Sequence, residues 1–250
     1  MILQTSLPYD VHALRPLPGI APLDPADWLL VDEVHAAQMA ERERLMTERR
    51  EEVIALDPGA MPAALELLDT VLEHLPPGHV REGDAVRRPD GVSVRLDRDD
   101  PMATLGRLVQ EDLCIMERHG EEHVLTGAVL CFPSAWRLHD KFMRRLVAIH
   151  APVAPYDENI ARRVQRLFDG IQPGRPLWRF NALWYHDPAL FQASKAFKEL
   201  RKEREAEAPF MRSERQCLLR LPKTRAVVFS IHIYVLARAS VPELTALGQD

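Results

Sequence analysis

Cysteine is scarce. The three in 250 residues, Cys114, Cys131 and Cys217, are odd in number and far apart, and none forms a C-x-x-C pair. That excludes a disulfide frame and a Cys-based zinc site, and it suits reduced thiols in a cytoplasmic protein. Glycine is sparse too: eleven residues, no two closer than four apart (Gly170 and Gly174). Neither G-x-G-x-x-G nor a Walker loop is therefore present, and the chain lacks the usual cradles for NAD(P) or a nucleoside triphosphate. G-x-S-x-G and H-E-x-x-H are missing as well, which removes the serine-hydrolase elbow and the zincin helix. No uncharged apolar run approaches eighteen residues, so no membrane span is expected. Met1 to Asp10 has no basic start and no apolar stretch, so no secretory signal is expected. Lysine is rare, with 27 Arg against 5 Lys, in a chain of net charge −5. The acidic balance argues against a nucleic-acid-coating protein. The arginine excess has two sources to weigh: codon bias, and the fixed bidentate bonds that Arg makes to carboxylates and phosphates.

What is present reads as one globular unit with two textures. Pro8, Pro16, Pro18, Pro22 and Pro25 block helix and central strand, predicting an extended arm over residues 8–27. A Glu- and Arg-rich helix is expected from Asp32 to Ala55, stopped by Pro58-Gly59. A second, from Pro62 to His74, ends at Pro76-Pro77-Gly78. Ala85–Arg88 and Val92–Leu96 flank Pro89-Asp90-Gly91 as a hairpin, and a short helix covers Pro101–Val109. Strands are expected over Asp112–Arg118 and Glu122–Phe132, and helices over Leu138–Ile149 and Glu158–Phe168. Leu177–His186 alternates strictly, with Trp178, Phe180, Ala182, Trp184 and His186 on one face and Arg179 and Asn181 on the other. A charged helix over Ser194–Ala206 precedes two final strands, Arg212–Leu221 and Ala226–Ala237. Hairpins at both ends of a helical crossover imply an α+β fold, a mainly antiparallel sheet with helices on one face. The order matches that of a PAS-like domain by topological analogy. The expected organisation is an N-terminal arm and helical extension over 1–78 and a PAS-like unit over 79–240.

The chain has ten histidines. His119 and His123 bracket a turn, so helical metal-ligand spacing does not apply to them. His150 ends a helix and is followed by Ala151-Pro152-Val153-Ala154-Pro155-Tyr156. It reads either as a cap favoured by the helix dipole or as a rigidly aimed imidazole, which axial ligation of haem iron requires. His186 and His232 are either hydrogen-bonded core or rim residues, or point into a pocket between sheet and helices. The row Trp178, Phe180, Trp184 is either core or the wall for a flat ligand. Arg175, Arg179, Arg212, Arg215, Arg220 and Arg225 gather near the last strands. They form either a face laced with ion pairs or an anchor for propionates or phosphates.

Four ordered segments carry a resemblance. Leu130-Cys131-Phe132-Pro133-Ser134 with Trp136 is similar to C-F-P-S-x-W, and Ile149 to Tyr156 to I-H-x-P-V-P-G-Y. Arg179-Phe180-Asn181 is similar to R-x-N-W, and Arg212 to Thr224 to R-x-E-R-Q-x-L-x-R-L-P-K/R-T/S. The chain thereby resembles the haem-dependent oxidative N-demethylase α-subunit-like family. It departs in the shifted proline of Val153-Ala154-Pro155 and in Ala182, which stands where that family has Trp. The resemblance implies a PAS-like haem-binding domain that uses oxygen to demethylate a small methylated amine, releasing formaldehyde. Electrons would come from separate reductase subunits carrying NADPH and flavin. It implies His150 as the axial ligand of the haem iron, and Arg179, Arg215 and Arg220 as propionate or structural contacts. Tyr156, Gln216 and His232 would set pocket polarity and catalysis. A haem-binding PAS-like sensor or carrier, and a haem-free module binding an anionic metabolite, are the alternatives.

Overall fold

The structure is a computed structural model and describes residues 1–13, 19–150, 158–194 and 207–241, with the side chains of 150 and 158–162 outside the description. The proline-rich arm contributes β1 (Ala21–Pro22), then a short turn at Pro25–Asp27. The long Glu- and Arg-rich helix expected over 32–55 is interrupted. Helix α1 (His35–Glu48) ends at Arg49, whose φ of −136° and ψ of 34° leave the helical region, and α2 (Arg50–Val53) adds a single turn. The chain then becomes strand β2 (Ile54–Leu56). Tertiary pairing overrides the helical pattern here: β2 lies antiparallel to Gly127–Val129. Leu56 presses so close to Gly127 that a Cβ there would sit 2.9 Å from its Cδ1. Helix α3 (Met61–Glu73) matches the expected Pro-initiated segment.

Strands β3 (Val80–Glu82), β4 (Ala85–Arg87) and β5 (Ser93–Arg95) form a small separate antiparallel sheet, and α4 (Pro101–Leu108) follows. The large sheet is built from β6 (Asp112–His119), β7 (Glu122–Val129), β8 (Leu177–Tyr185), β9 (Phe210–Arg220) and β10 (Val227–Ala237). With β1 and β2 at its edges the order is β1-β8-β9-β10-β6-β7-β2, antiparallel throughout. The molecule is α+β, as expected. No helix among the described residues is long and apolar enough to cross a membrane.

The crossover between β7 and β8 holds α5 (Leu138–Lys141), α6 (Leu146–His150) and α7 (Glu158–Gly170). The single helix expected over 138–149 is thus two. Met143 takes φ 57° and donates to the carbonyl of Leu125, while Leu125 N donates to Arg144 O. Because β2 covers only the far half of β7, the exposed edge at Leu125 offers backbone partners that the helix would forgo. The expected helix over 194–206 lies, apart from Ser194, outside the described residues.

Strand alternation gives the large sheet two distinct faces. The first carries Ser230, His232 and Tyr234 of β10, Ser213 and Arg215 of β9, and Trp178 and Phe180 of β8, all in cross-strand register. The N-terminal arm closes it. Trp28 Nε1 donates to Ser230 Oγ (2.9 Å), Tyr9 OH pairs with Ser213 Oγ (2.8 Å), and the Tyr9 ring stacks on Phe180 at 4.6 Å. The aromatic row of β8 is half-buried, and Tyr9 packs over its Trp178 and Phe180. The second face carries Phe229, Ile231 and Ile233 opposite Leu218, Gln216 and Glu214, and these opposite Leu177, Arg179 and Asn181. Helix α7 lies against this face at the β6–β7 end, where Phe168 meets His123 with ring centroids 5.3 Å apart.

One buried ion pair ties the N-terminal helices to the sheet. Arg42 on α1 and Asp112 at the start of β6 are fully buried and meet at 2.6 Å. Arg42 also donates to the carbonyls of Gly106 and Gln110. Asp112 accepts from the backbone N–H groups of Cys131 and Phe132, which turn the chain out of β7 at Val129, short of the expected Phe132. Removing one partner strands the other charge in the core. Asp112→Ala is expected to lower the unfolding free energy by about 3–5 kcal/mol, read from urea denaturation; a loss within experimental error would contradict the assignment.

Candidate functional site

On the second face, β8 and β9 align three cross-strand rows. Leu177–Leu218–Phe229 is apolar, while Arg179–Gln216–Ile231 and Asn181–Glu214–Ile233 place polar side chains beside aliphatic ones. The polar members bond to one another. Arg179 Nη1 donates to Gln216 Oε1 (2.8 Å), Gln216 Nε2 to Glu214 Oε2 (2.8 Å) and Asn181 Nδ2 to the same Glu214 oxygen (2.9 Å). All four side chains are half-buried. Arg179 Nε is buried with no hydrogen-bond partner among the described residues. Burial pulls the Arg179 guanidinium below its ordinary range, and the nearby Glu214 charge opposes that only partly. This is a partly desolvated cation with an open donor beside an apolar strip. Such a surface suits an amphiphilic ligand bearing an anionic group.

The other arginines of the 212–220 segment serve the backbone instead. Arg212 donates to the carbonyls of Leu190 (2.9 Å) and Phe132 (2.6 Å). Arg220 donates to Ile171 O, Arg225 O and Phe168 O, holding the carbonyl end of α7. Arg215 faces the opposite side of the sheet, where it donates to Trp28 O (3.1 Å) and Asp27 O (2.6 Å) and lies over Trp178. Arg179 and Gln216 thus come together, whereas Arg215 does not join them, because neighbouring residues on a strand point to opposite faces.

His232 is likewise on the arm face. It is fully buried between two carboxylates, with Nδ1 2.9 Å from Glu111 Oε1 and Nε2 3.2 Å from Asp32 Oδ2. Burial alone would lower the imidazole's pKa. Hydrogen bonds to Asp32 and Glu111 outweigh it and lift the pKa to about 9. Asp32 answers in kind: burial would raise its pKa, but His232 together with Gln4 and Gln110 brings it down to about 2. This is a charged structural triad joining the arm to β10, remote from the Arg179 face. His150 closes α6, but its side chain lies outside the described residues, as does Tyr156 entirely. His186 follows β8 and is exposed. The three cysteines are buried free thiols; burial pushes Cys114 and Cys131 up to about 12 and Cys217 to about 11, so they stay protonated.

Glu214 and Asn181 were not singled out as site residues from the sequence. Each shares its strand face with an expected candidate, Gln216 or Arg179, which is the signal that pointed to them. The register that seats Asn181 opposite Glu214 is not readable from either strand alone. Ser134, in the turn after β7, bonds Tyr185 OH at 2.6 Å and so ties that turn to the end of β8.

The family model described as haem-dependent oxidative N-demethylase, alpha subunit-like, matches residues 19–249.

The triad makes stability depend on alkaline pH. The pKa of His232 is about 9 when folded against 6.5 when free, so its contribution is complete below pH 6.5 and is lost as pH rises through about 9. The wild-type urea midpoint is expected to fall between near-neutral pH and about pH 9.5. His232→Gln should be less stable at neutral pH and should show a flatter profile over that window. A variant profile as steep as the wild type would contradict the triad.

Proposed function

The chain belongs to the haem-dependent oxidative N-demethylase, alpha subunit-like family, and we propose that it is the haem-carrying chain of an enzyme that demethylates a small methylated amine. The observation that carries this reading is the open donor of Arg179. A haem edge brings two propionates, and the partly desolvated guanidinium beside the strip Leu177, Leu218, Phe229 fits one of them. Haem bound here would supply oxygen activation at its iron, with electrons from reductase subunits carrying NADPH and flavin. The absence of any dinucleotide loop in this chain is consistent with that division of labour.

The protein's own part is binding, orientation and exclusion of water. Arg179 anchors the anionic edge, and Gln216 holds the guanidinium in place through Oε1. Glu214, held by Asn181 and Gln216, presents a fixed acceptor to a cationic amine on the same face. His150, at the end of α6, would hold the haem iron, and Tyr156 would contribute polarity to the site. A PAS-like unit over 79–240 agrees with two hairpins flanking a helical crossover, the first strand of one paired to the last strand of the other. Residues 1–78 serve as its arm and extension.

The purified chain reconstituted with haem is expected to give a Soret band; its absence would end this reading. His150→Ala should change the band's position or abolish it. Arg179→Ala should weaken haem binding about ten-fold, and Arg179→Lys should recover part of the loss, because Lys restores charge but not the planar fork. Formaldehyde release from a methylated amine should require NADPH and the reductase subunits together.

A further inference from the structure

A cavity on the same sheet face, away from Arg179, has a polar lining that includes a buried donor with no partner among the described residues. It has a volume of about 320 Å³ and lies where the β6–β7 hairpin, the carbonyl end of α7 and the β9–β10 turn meet. Arg118, Arg220 and Arg225 line it with His123, and Glu117 and Asp169 supply the opposing charge. Glu117 accepts from Thr126 Oγ1; Asp169 accepts from Gln165 and lies 3.7 Å from Arg118 within the lining; Arg118 Nε donates to the carbonyl of Gly120. Arg220 spends its bonds on backbone carbonyls, which leave its charge in place. Arg225 has no carboxylate within ion-pair distance among the described residues.

His123 decides what this lining wants. It is 1% exposed. Gln165 Nε2 lies 3.0 Å from its Nδ1 and 3.2 Å from Asp169 Oδ1. The shared contact with a carboxylate identifies Nε2 of Gln165 as the donor, so His123 Nδ1 accepts and the ring proton sits on Nε2. Burial holds the imidazole below its ordinary pKa, so it is neutral. Its Nε2–H is buried with no acceptor among the described residues. A buried donor without an acceptor is costly, and a ligand oxygen removes that cost.

We infer that this cavity binds a phosphate monoester, with one phosphate oxygen accepting from His123 Nε2 and the others facing Arg118, Arg220 and Arg225. Donors converging from the sheet, the helix end and the turn suit a tetrahedral dianion better than a planar carboxylate. The site is independent of the haem reading.

Methyl phosphate titrated calorimetrically into the full chain, near neutral pH and in phosphate-free buffer, tests it. Binding tighter than about 1 mM is expected. Arg118→Ala and Arg225→Ala, both at exposed positions, should each weaken it about ten-fold. Acetate should not compete, and the His123 Nε2 proton resonance should shift on binding. Absence of heat, unchanged affinity in the double variant, or equal binding of acetate would each overturn the proposal.

Discussion

The Arg42–Asp112 pair is the constraint on which the rest of the architecture hangs. A charge pair with no solvent exposure needs further hydrogen bonds to offset the loss of water. Here Arg42 Nη2 is left without a partner among the described residues, and the rest of the pair is served by backbone from three places: the end of α4, the approach to β6, and the exit from β7. Satisfying the pair therefore fixes where α1 sits, where β6 begins and where β7 ends. Phe132 is then held at both polar ends, its N–H by Asp112 and its carbonyl by Arg212 of β9. A single polar chain runs from α1 through the sheet to the strand that carries Glu214 and Gln216.

The same logic divides the arginines. In a low-dielectric interior a guanidinium needs acceptors, and backbone carbonyls at turns and helix ends have lone pairs to spare. Arg212, Arg215 and Arg220 each find two or more of them. They act as struts joining β9 to the turn after β7, to the arm and to α7. Arg179 shares a buried open Nε with Arg212, but it differs in that its bonded partner is the Gln216 side chain rather than backbone. The arginine excess is thus chiefly architectural within the matched segments, and Arg179 stands apart by bonding a side chain where the others bond backbone carbonyls.

The elements were legible where local pattern and tertiary pairing agree. Strict alternation over Leu177–Tyr185 and the apolar run of β10 declared their strands, and Pro62 declared α3. The pattern misled where a backbone edge competed. Ile54–Leu56 continues a helical series yet pairs with β7, and Met143 breaks a plausible helix to reach Leu125. The site was half legible for a related reason. Arg179 and Gln216 stand in recognisable segments, but the register that aligns them, and the face that excludes Arg215 and His232, belong to pairings between distant strands. His232 in particular shows the limit: a mid-strand histidine carries no sequence mark of the two carboxylates, 121 and 200 residues away, that hold it charged.

That histidine also explains why the two faces of the sheet have different fates. Asp32 and Glu111 bind an imidazolium, and Tyr9 and Trp28 satisfy the hydroxyls of Ser213 and Ser230. Every polar group named on the arm face has a partner from the N-terminal segment or its approach. On the opposite face, Arg179 Nε and His123 Nε2 remain without one among the described residues. A buried donor left without an acceptor is costly, and these two stand at the polar rows of β8 and β9 and in the lining of the cavity beside α7. The arm closes one side of the sheet for stability, and on the other side the two open donors stand where the proposed ligands bind.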